Sequence, residues 1–223
     1  MDEPDARGLP QSIPIFPLDG AVLFPGEYLP LNIFEERYRN MVADALMGAR
    51  LIGMVQPREA AEYASMAQAP VYLVGCVGRI KEHRETEDGR HLIVLEGVSR
   101  FRIDRELNGE QGLDRGYRRV EVSYQEFSED REGSGTLGGG RDHIVQRLKA
   151  FLGQTAADAD WAAIDDLPDE RLVHTLAMTL PFPSVERQAL LEAPTLRQRA
   201  EVLSALIALS GEPGPDPSQP LAH

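Results

Sequence analysis

The sequence predicts an α+β fold, with strands in the first half of the chain and helices in the second. Three observations carry that expectation. β-patterned runs separated by Pro-Gly and Asp-Gly turns extend over residues 12–127. A polar, glycine-rich stretch follows at 128–140. Beyond it, apolar residues recur at helical spacing. Segregation of strands from helices along the chain marks an α+β architecture.

Residues 1–11 are polar and read as a disordered lead. SIPIF (12–16) is a short strand stopped by Pro17, and Asp19-Gly20 is a turn. AVLF (21–24) runs into a second turn at Pro25-Gly26. YLPLNIF (28–34) is extended, and Pro30 within it suggests an edge or a bulge, because proline donates nothing to a ladder. An amphipathic helix comes next. Asn32 is its expected N-cap, with Glu35 at capping-box spacing. Phe34, Tyr38, Met41, Val42, Ala45 and Leu46 form its apolar face. Glu35 and Arg39 stand one turn apart, as an ion pair would, and Gly48 ends the helix.

LIGMV (51–55) is a buried-type strand ended by Pro57. VYLVGCVGRIKEH (71–83) and HLIVLEGVSRFRI (91–103) form a long hairpin around Asp88-Gly89, with Gly97 as a bulge. RRVEVSYQEF (118–127) alternates, with Val120, Val122 and Tyr124 on one face. In the second half, HIVQRLKAFL (143–152) and RLVHTLAMTL (171–180) read as helices, joined by an acidic connector. SVERQALLEA (184–193) is a further helix, with Ser184 as its expected cap. Thr195 caps the last helix, with Gln198 at the capping-box position and Leu196, Leu203, Leu206 and Ile207 inward. The expected division is a lead 1–11, a β-rich subdomain 12–127, a glycine-rich linker 128–140, a helical subdomain 141–209 and a proline-rich disordered tail 210–223.

Composition narrows the function. The net charge is −13, and the two lysines and scattered arginines form no basic run, which argues against nucleic acid. A single cysteine allows no intrachain disulfide and suits a reducing compartment. No segment reads as a signal peptide or a membrane helix, so a cytoplasmic protein without membrane contact is expected.

Catalytic patterns are missing. A P-loop lysine follows a glycine, and neither Lys81 nor Lys149 does. No Gly-x-Ser-x-Gly elbow occurs, and nothing sets a serine beside either lysine, so both read as solvated charge. Cys76, in the apolar run LVGCVG, reads as a buried structural cysteine. His83, His91, His143, His174 and His223 lack metal-type spacing, and His83 and His91 read as exposed cross-strand neighbours. Asp158, Asp160, Asp165, Asp166, Asp169 and Glu170 lack the order of a calcium loop and read as a solvated acidic face. No metal, cofactor or catalytic residue is expected, and the chain is read as a non-enzyme.

IPIFPL (13–18), LFPG (23–26), LPL (29–31), FEERYRNMV (34–42) and IGMV (52–55) together resemble the N-terminal domain of the Lon (La) family of ATP-dependent proteases. VGCVGRI (74–80), DGR (88–90), LEGVSRFRI (95–103) and LPFPSVERQALLEAPTLRQRAEVLSAL (180–206) extend the resemblance over about residues 12–209. The resemblance implies a PUA-like twisted β pseudo-barrel with one amphipathic helix, followed by a helical bundle, and a role in holding polypeptide substrates. The chain ends at His223, before the family's ATPase and Ser–Lys peptidase, and so resembles the stand-alone members. The expected role is a non-catalytic polypeptide-binding module, an adaptor or substrate-recognition protein in quality control, monomeric or weakly dimeric. It would bind unfolded or extended polypeptide or a protein partner. The alternatives are a peptidase by family label and a PUA-like RNA-binding protein, the first opposed by the missing dyad and P-loop, the second by the charge. Leu23, Phe24, Pro25 and Gly26 are the candidate polypeptide contact, provided that their turn is exposed. Glu35, Arg37, Tyr38, Arg79, Gly89, Arg90, Gly97, Arg100 and Phe101, the family motif residues, are read as framework.

Overall fold

The computed structural model describes residues 8–58, 69–107, 116–131, 135–153 and 160–211. Most of the expected lead, Asp158 and nearly all of the expected tail lie outside these residues. The described chain is a mixed α+β fold. Its strands are β1 (Ser12–Pro17), β2 (Tyr28–Ile33), β3 (Leu51–Val55), β4 (Val74–Glu85), β5 (His91–Leu107) and β6 (Arg118–Ser123). Its helices are α1 (Glu36–Met47), α2 (Gly140–Leu152), α3 (Trp161–Asp166), α4 (Asp169–Thr179), α5 (Ser184–Glu192) and α6 (Leu196–Gly211), with a 3-10 segment at Gln125–Arg131. Contacts group the chain into two compact units, Met1–Gly133 with Met178–Glu192, and Ser134–Ala177 with Ala193–His223.

The first unit holds one six-stranded sheet in the order β2-β5-β4-β3-β1-β6, and β6 also pairs with β5. Five strands therefore close into a ring, and β2 hangs on the outside of β5. β1 runs parallel to β3, with Ile15 opposite Gly53, while β1–β6, β3–β4, β4–β5 and β2–β5 are antiparallel. Ile13, Ile15, Val77, Phe101, Val120 and Val122 fill the ring's core. Of the alternating strand expected over 118–127, Val120, Val122 and Tyr124 do face inward, but the strand ends at Ser123 and residues from Gln125 form the 3-10 segment. The Asp88-Gly89 hairpin has Gly89 at φ +75, a region that favours glycine.

The start of α1 differs from the expectation. Asn32 does not cap it; Asn32 lies in β2 opposite Leu92. The N-cap is Glu35, whose side chain makes no capping hydrogen bond, and which pairs with Arg37 at 2.7 Å rather than with Arg39. The ladder with β5 continues through Ile33, so the chain is still extended where a cap was expected. Phe34 consequently points out of the apolar face and is 55% exposed, while Tyr38, Met41, Val42 and Ala45 are buried. Tyr38 stacks on Phe16 with ring centroids 4.4 Å apart.

The stretch expected as a linker starts as structure. The 3-10 segment carries Asp130, whose carboxylate takes Arg100 in a two-pronged pair, with Nη2–Oδ1 at 2.7 Å and Nε–Oδ2 at 3.0 Å. The two side chains are only 3% and 7% exposed. Burying a charge that deep is costly unless it is paired and hydrogen-bonded, which is why a polar segment packs there. The same unit includes α5. Its buried Gln188 donates to Val74 O at 3.0 Å and accepts from Gln56 Nε2 at 3.1 Å.

The second unit is helical. Arg141 of α2 donates to the carbonyls of Ile164 and Leu167 and to Asp169 Oδ1, so part of the acidic connector serves as its partner. Ile144 and Leu148 of α2 are buried, as are Leu203 and Ile207 of α6. Thr195 and Gln198 form the expected capping box: Gln198 N donates to Thr195 Oγ1 at 3.2 Å and Thr195 N to Gln198 Oε1 at 3.3 Å.

Candidate functional site

The turn expected to contact polypeptide is not available for it. Leu23 and Phe24 are fully buried, Pro25 is buried, and only Gly26 reaches the surface. Gly97 explains this. The turn lies against it, with Gly26 N donating to Gly97 O at 2.9 Å and Gly97 N to Glu27 O at 2.8 Å, and a Cβ at Gly97 would run into the Phe24 carbonyl. The apolar turn is thus a plug in the sheet unit.

Among the described residues, two of the exposed large apolar side chains flank β2. Tyr28, 47% exposed, stands at its first residue and Phe34 one residue past its end. A cleft of about 170 Å³ opens on one face of the strand, walled by Phe16, Leu18, Leu31, Ile33, Phe34 and Tyr38. On the other face lies a wider concavity of about 530 Å³, reaching Pro30, Asn32, Leu92, Val94, Glu82 and Arg84. Both clefts share Pro30, Leu31 and Asn32. Tyr28 is held by Oη–H donation to Glu96 at 3.1 Å. A hydrogen bond from Lys81, at 2.8 Å, holds the Glu96 carboxyl below the usual range. Pro30 was the one sequence signal for this edge; the exposure of Tyr28 and Phe34 was not foreseen.

Beside this surface His83 Nε2 and His91 Nδ1 lie 2.9 Å apart. His83 is exposed as expected, but His91 is buried, because it ends the β2 ladder opposite Ile33. Burial first, and the neighbouring His83 second, lower its pKa. Among the described residues no cluster of three metal-ligating side chains occurs. Cys76 is fully buried, and desolvation pushes its thiol well above the ordinary range. Nothing in this geometry activates a nucleophile. What it offers is an exposed strand edge between two clefts.

A family model described as the ATP-dependent protease La (LON) substrate-binding domain matches residues 12–208. The chain belongs to this Lon family. Among curated proteins it is similar to the Lon protease of Flavobacterium johnsoniae, 28% identical over 201 residues, covering 89% of this chain and 24% of that protein. It is also similar to Lon protease 2 of Myxococcus xanthus, 26% identical over 199 residues, with 89% and 24% covered. The chain thus spans about a quarter of the length of these relatives, and the part matched is the non-catalytic, substrate-binding part. Among solved structures, the Lon N-terminal domain protein from Xanthomonas campestris superposes with a TM-score of 0.61 at 24% identity, covering 87% of this chain and 97% of that one. The N-terminal domain of the Mycobacterium avium complex Lon protease gives 0.62 at 17%, covering 88% and 98%. These two show the fold.

The Lon motif residues lie in the sheet unit. Arg37 bridges to Glu35 and lies over the Tyr38 ring at 4.6 Å. Arg79 donates to Ala49 O at 3.2 Å. Arg90 pairs with Asp88 at 2.7 Å across the Gly89 turn. Arg100 adds to its Asp130 pair a bond to Leu191 O at 3.0 Å and a stack on Phe127 at 4.6 Å, and Phe101 is fully buried. Apart from Glu35 and Tyr38, which line the smaller cleft, none of these residues lines the two clefts beside β2.

Proposed function

We propose that this Lon-family chain is a non-catalytic polypeptide-binding module that takes unfolded or extended segments along the β2 surface. The observation that carries the reading is the match of residues 12–208 to a substrate-binding domain. The exposed Tyr28 and Phe34, set at the ends of an edge strand between two clefts, support it by giving such a segment an apolar place to lie. In this reading the closed sheet is a PUA-like pseudo-barrel, the second unit is the helical bundle, and the protein is monomeric or weakly dimeric. It acts in the cytoplasm as an adaptor or substrate-recognition protein in quality control. The net charge of −13 favours basic clients and disfavours nucleic acid, and no described helix is long and apolar enough to cross a membrane.

Calorimetric titration with a reduced, alkylated, permanently unfolded protein tests it. Binding is expected, and Phe34→Ala and Tyr28→Ala are expected to weaken it more than about fivefold, the loss typical of an exposed aromatic anchor. Absence of binding at high protein concentration overturns the reading.

A further inference from the structure

We propose that the client binds by adding a strand to the free edge of β2, so that recognition runs through the β2 backbone as well as its apolar surroundings. This deepens the polypeptide-binding reading and rests on it. Among the described residues β2 pairs with β5 alone and ends the sheet order. The ladder fixes which backbone groups are free. Gly97 N donates to Glu27 O, and the register then pairs Leu29 with Leu95, Leu31 with Ile93 and Ile33 with His91. Antiparallel pairing alternates bonded and non-bonded positions, so Leu29, Leu31 and Ile33 turn their N–H and C=O groups toward β5. Tyr28, Pro30 and Asn32 turn theirs outward. Pro30 agrees independently, since a residue without an N–H fits an antiparallel strand only at an outward or unbonded position. Tyr28, Pro30 and Asn32 are all exposed.

The outward groups identify the occupant. A row of backbone donors and acceptors at strand spacing is matched by another extended backbone and by few other ligands. The side chains of an added strand alternate between its two faces. Here one face opens on the cleft of Phe16, Leu18 and Tyr38 and the other on the concavity of Leu92 and Val94. Alternate apolar side chains of the client would drop into each. The occupant is therefore an extended, apolar-patterned peptide segment with basic flanks, the flanks following from the net charge of −13.

The probe is a short peptide of alternating valine and threonine with a lysine at each end, used with the full chain. Two N-methylated forms block alternate backbone N–H groups, one set in each form. Binding is expected to fall about tenfold or more for one form and to change little for the other, because only one set faces β2. Hydrogen exchange followed by NMR should show the Tyr28 and Asn32 amides exchanging freely in the unbound chain and becoming protected by the peptide. Asn32→Pro, which removes an outward donor and no β2–β5 bond, should weaken binding with the melting temperature retained. Equal binding of both N-methylated forms, or binding without new protection at Tyr28 and Asn32, overturns strand addition and leaves polypeptide binding standing. Failure of every peptide and of the unfolded protein overturns both. Protection of the two amides that rises with protein concentration alone assigns the edge to a second copy of the chain and overturns the proposal.

Discussion

Removing the Asp130 carboxylate should destabilise the sheet unit out of proportion to one surface residue of a polar stretch. Asp130 meets Arg100 through Nε and Nη2, and its Oδ2 also accepts the Arg100 backbone N–H at 2.8 Å. The guanidinium also donates to Leu191 O and stacks on Phe127. With side-chain exposures of 3% and 7%, neither partner is solvated in place. In Asp130→Ala the cation stays buried without its carboxylate, and breaking such a pair costs about 3–5 kcal/mol. For a chain of this size that corresponds to a fall in melting temperature of about 6–20 °C. Asp130→Asn keeps the shape and acceptor but not the charge, and should cost less, about 1–3 kcal/mol. The assay is urea and thermal unfolding followed by far-UV circular dichroism, with the double variant Arg100→Met, Asp130→Leu completing the cycle. That double variant should recover much of the loss, since it leaves no unpaired charge. An Asp130→Ala change below about 1 kcal/mol would refute the argument and mean that the 3-10 segment does not dock on the sheet in solution.

Gly97→Ala should be among the most damaging conservative changes, about 3 kcal/mol or more by urea unfolding, because the obstacle is the Phe24 backbone carbonyl rather than a side chain that can move. Cys76, whose thiol is buried and pushed up by desolvation, should resist a thiol reagent in the native protein and react only at the rate of unfolding; rapid native labelling would contradict its placement. His91 has a folded pKa below the ordinary histidine value of 6.5, so the unfolded chain binds the proton more tightly. Its contribution is therefore complete above that value and lost as pH falls through it toward the folded pKa. The urea midpoint should drop as pH falls below the ordinary histidine range, and His91→Gln should flatten that slope.

Much of the fold was legible because it depends on neighbours in sequence. The Thr195–Gln198 capping box needs residues three apart, the Gly89 turn needs two strands that meet beside it, and the inward set Val120, Val122 and Tyr124 needs only a period of two. The misjudged positions depend on partners far along the chain. Asn32 looked like a cap until β5 claimed it for a ladder sixty residues away in sequence. Leu23 and Phe24 read as an apolar turn whose exposure the sequence leaves open, because nothing local reveals that Gly97 leaves room for them. Asp130 looked like a linker acid because its cation lies at Arg100. The same blindness hid the candidate site, which exists only because β2 has a partner on one side and clefts on both faces.

Pro30 bears on whether such an edge can be both open and safe. A free strand edge invites pairing with its own copies. Two β2 edges pairing antiparallel about Pro30 would set two proline carbonyls opposite each other with no N–H between them, at the centre of the contact. Shifting the register by one residue would move Tyr28 and Asn32 off their partners and swap the faces of every side chain. A client peptide carries only half of that defect: it presents an ordinary N–H to the Pro30 carbonyl, and only its own carbonyl opposite Pro30 lacks a donor. The proline therefore penalises self-pairing more than it penalises strand addition by another chain. Pro30→Val would restore the missing donor without touching the β5 ladder. If the edge works this way, that variant should bind the alternating peptide at least as well as the natural chain and should self-associate at lower concentration in sedimentation; an unchanged association state would show that Pro30 is not what keeps copies apart.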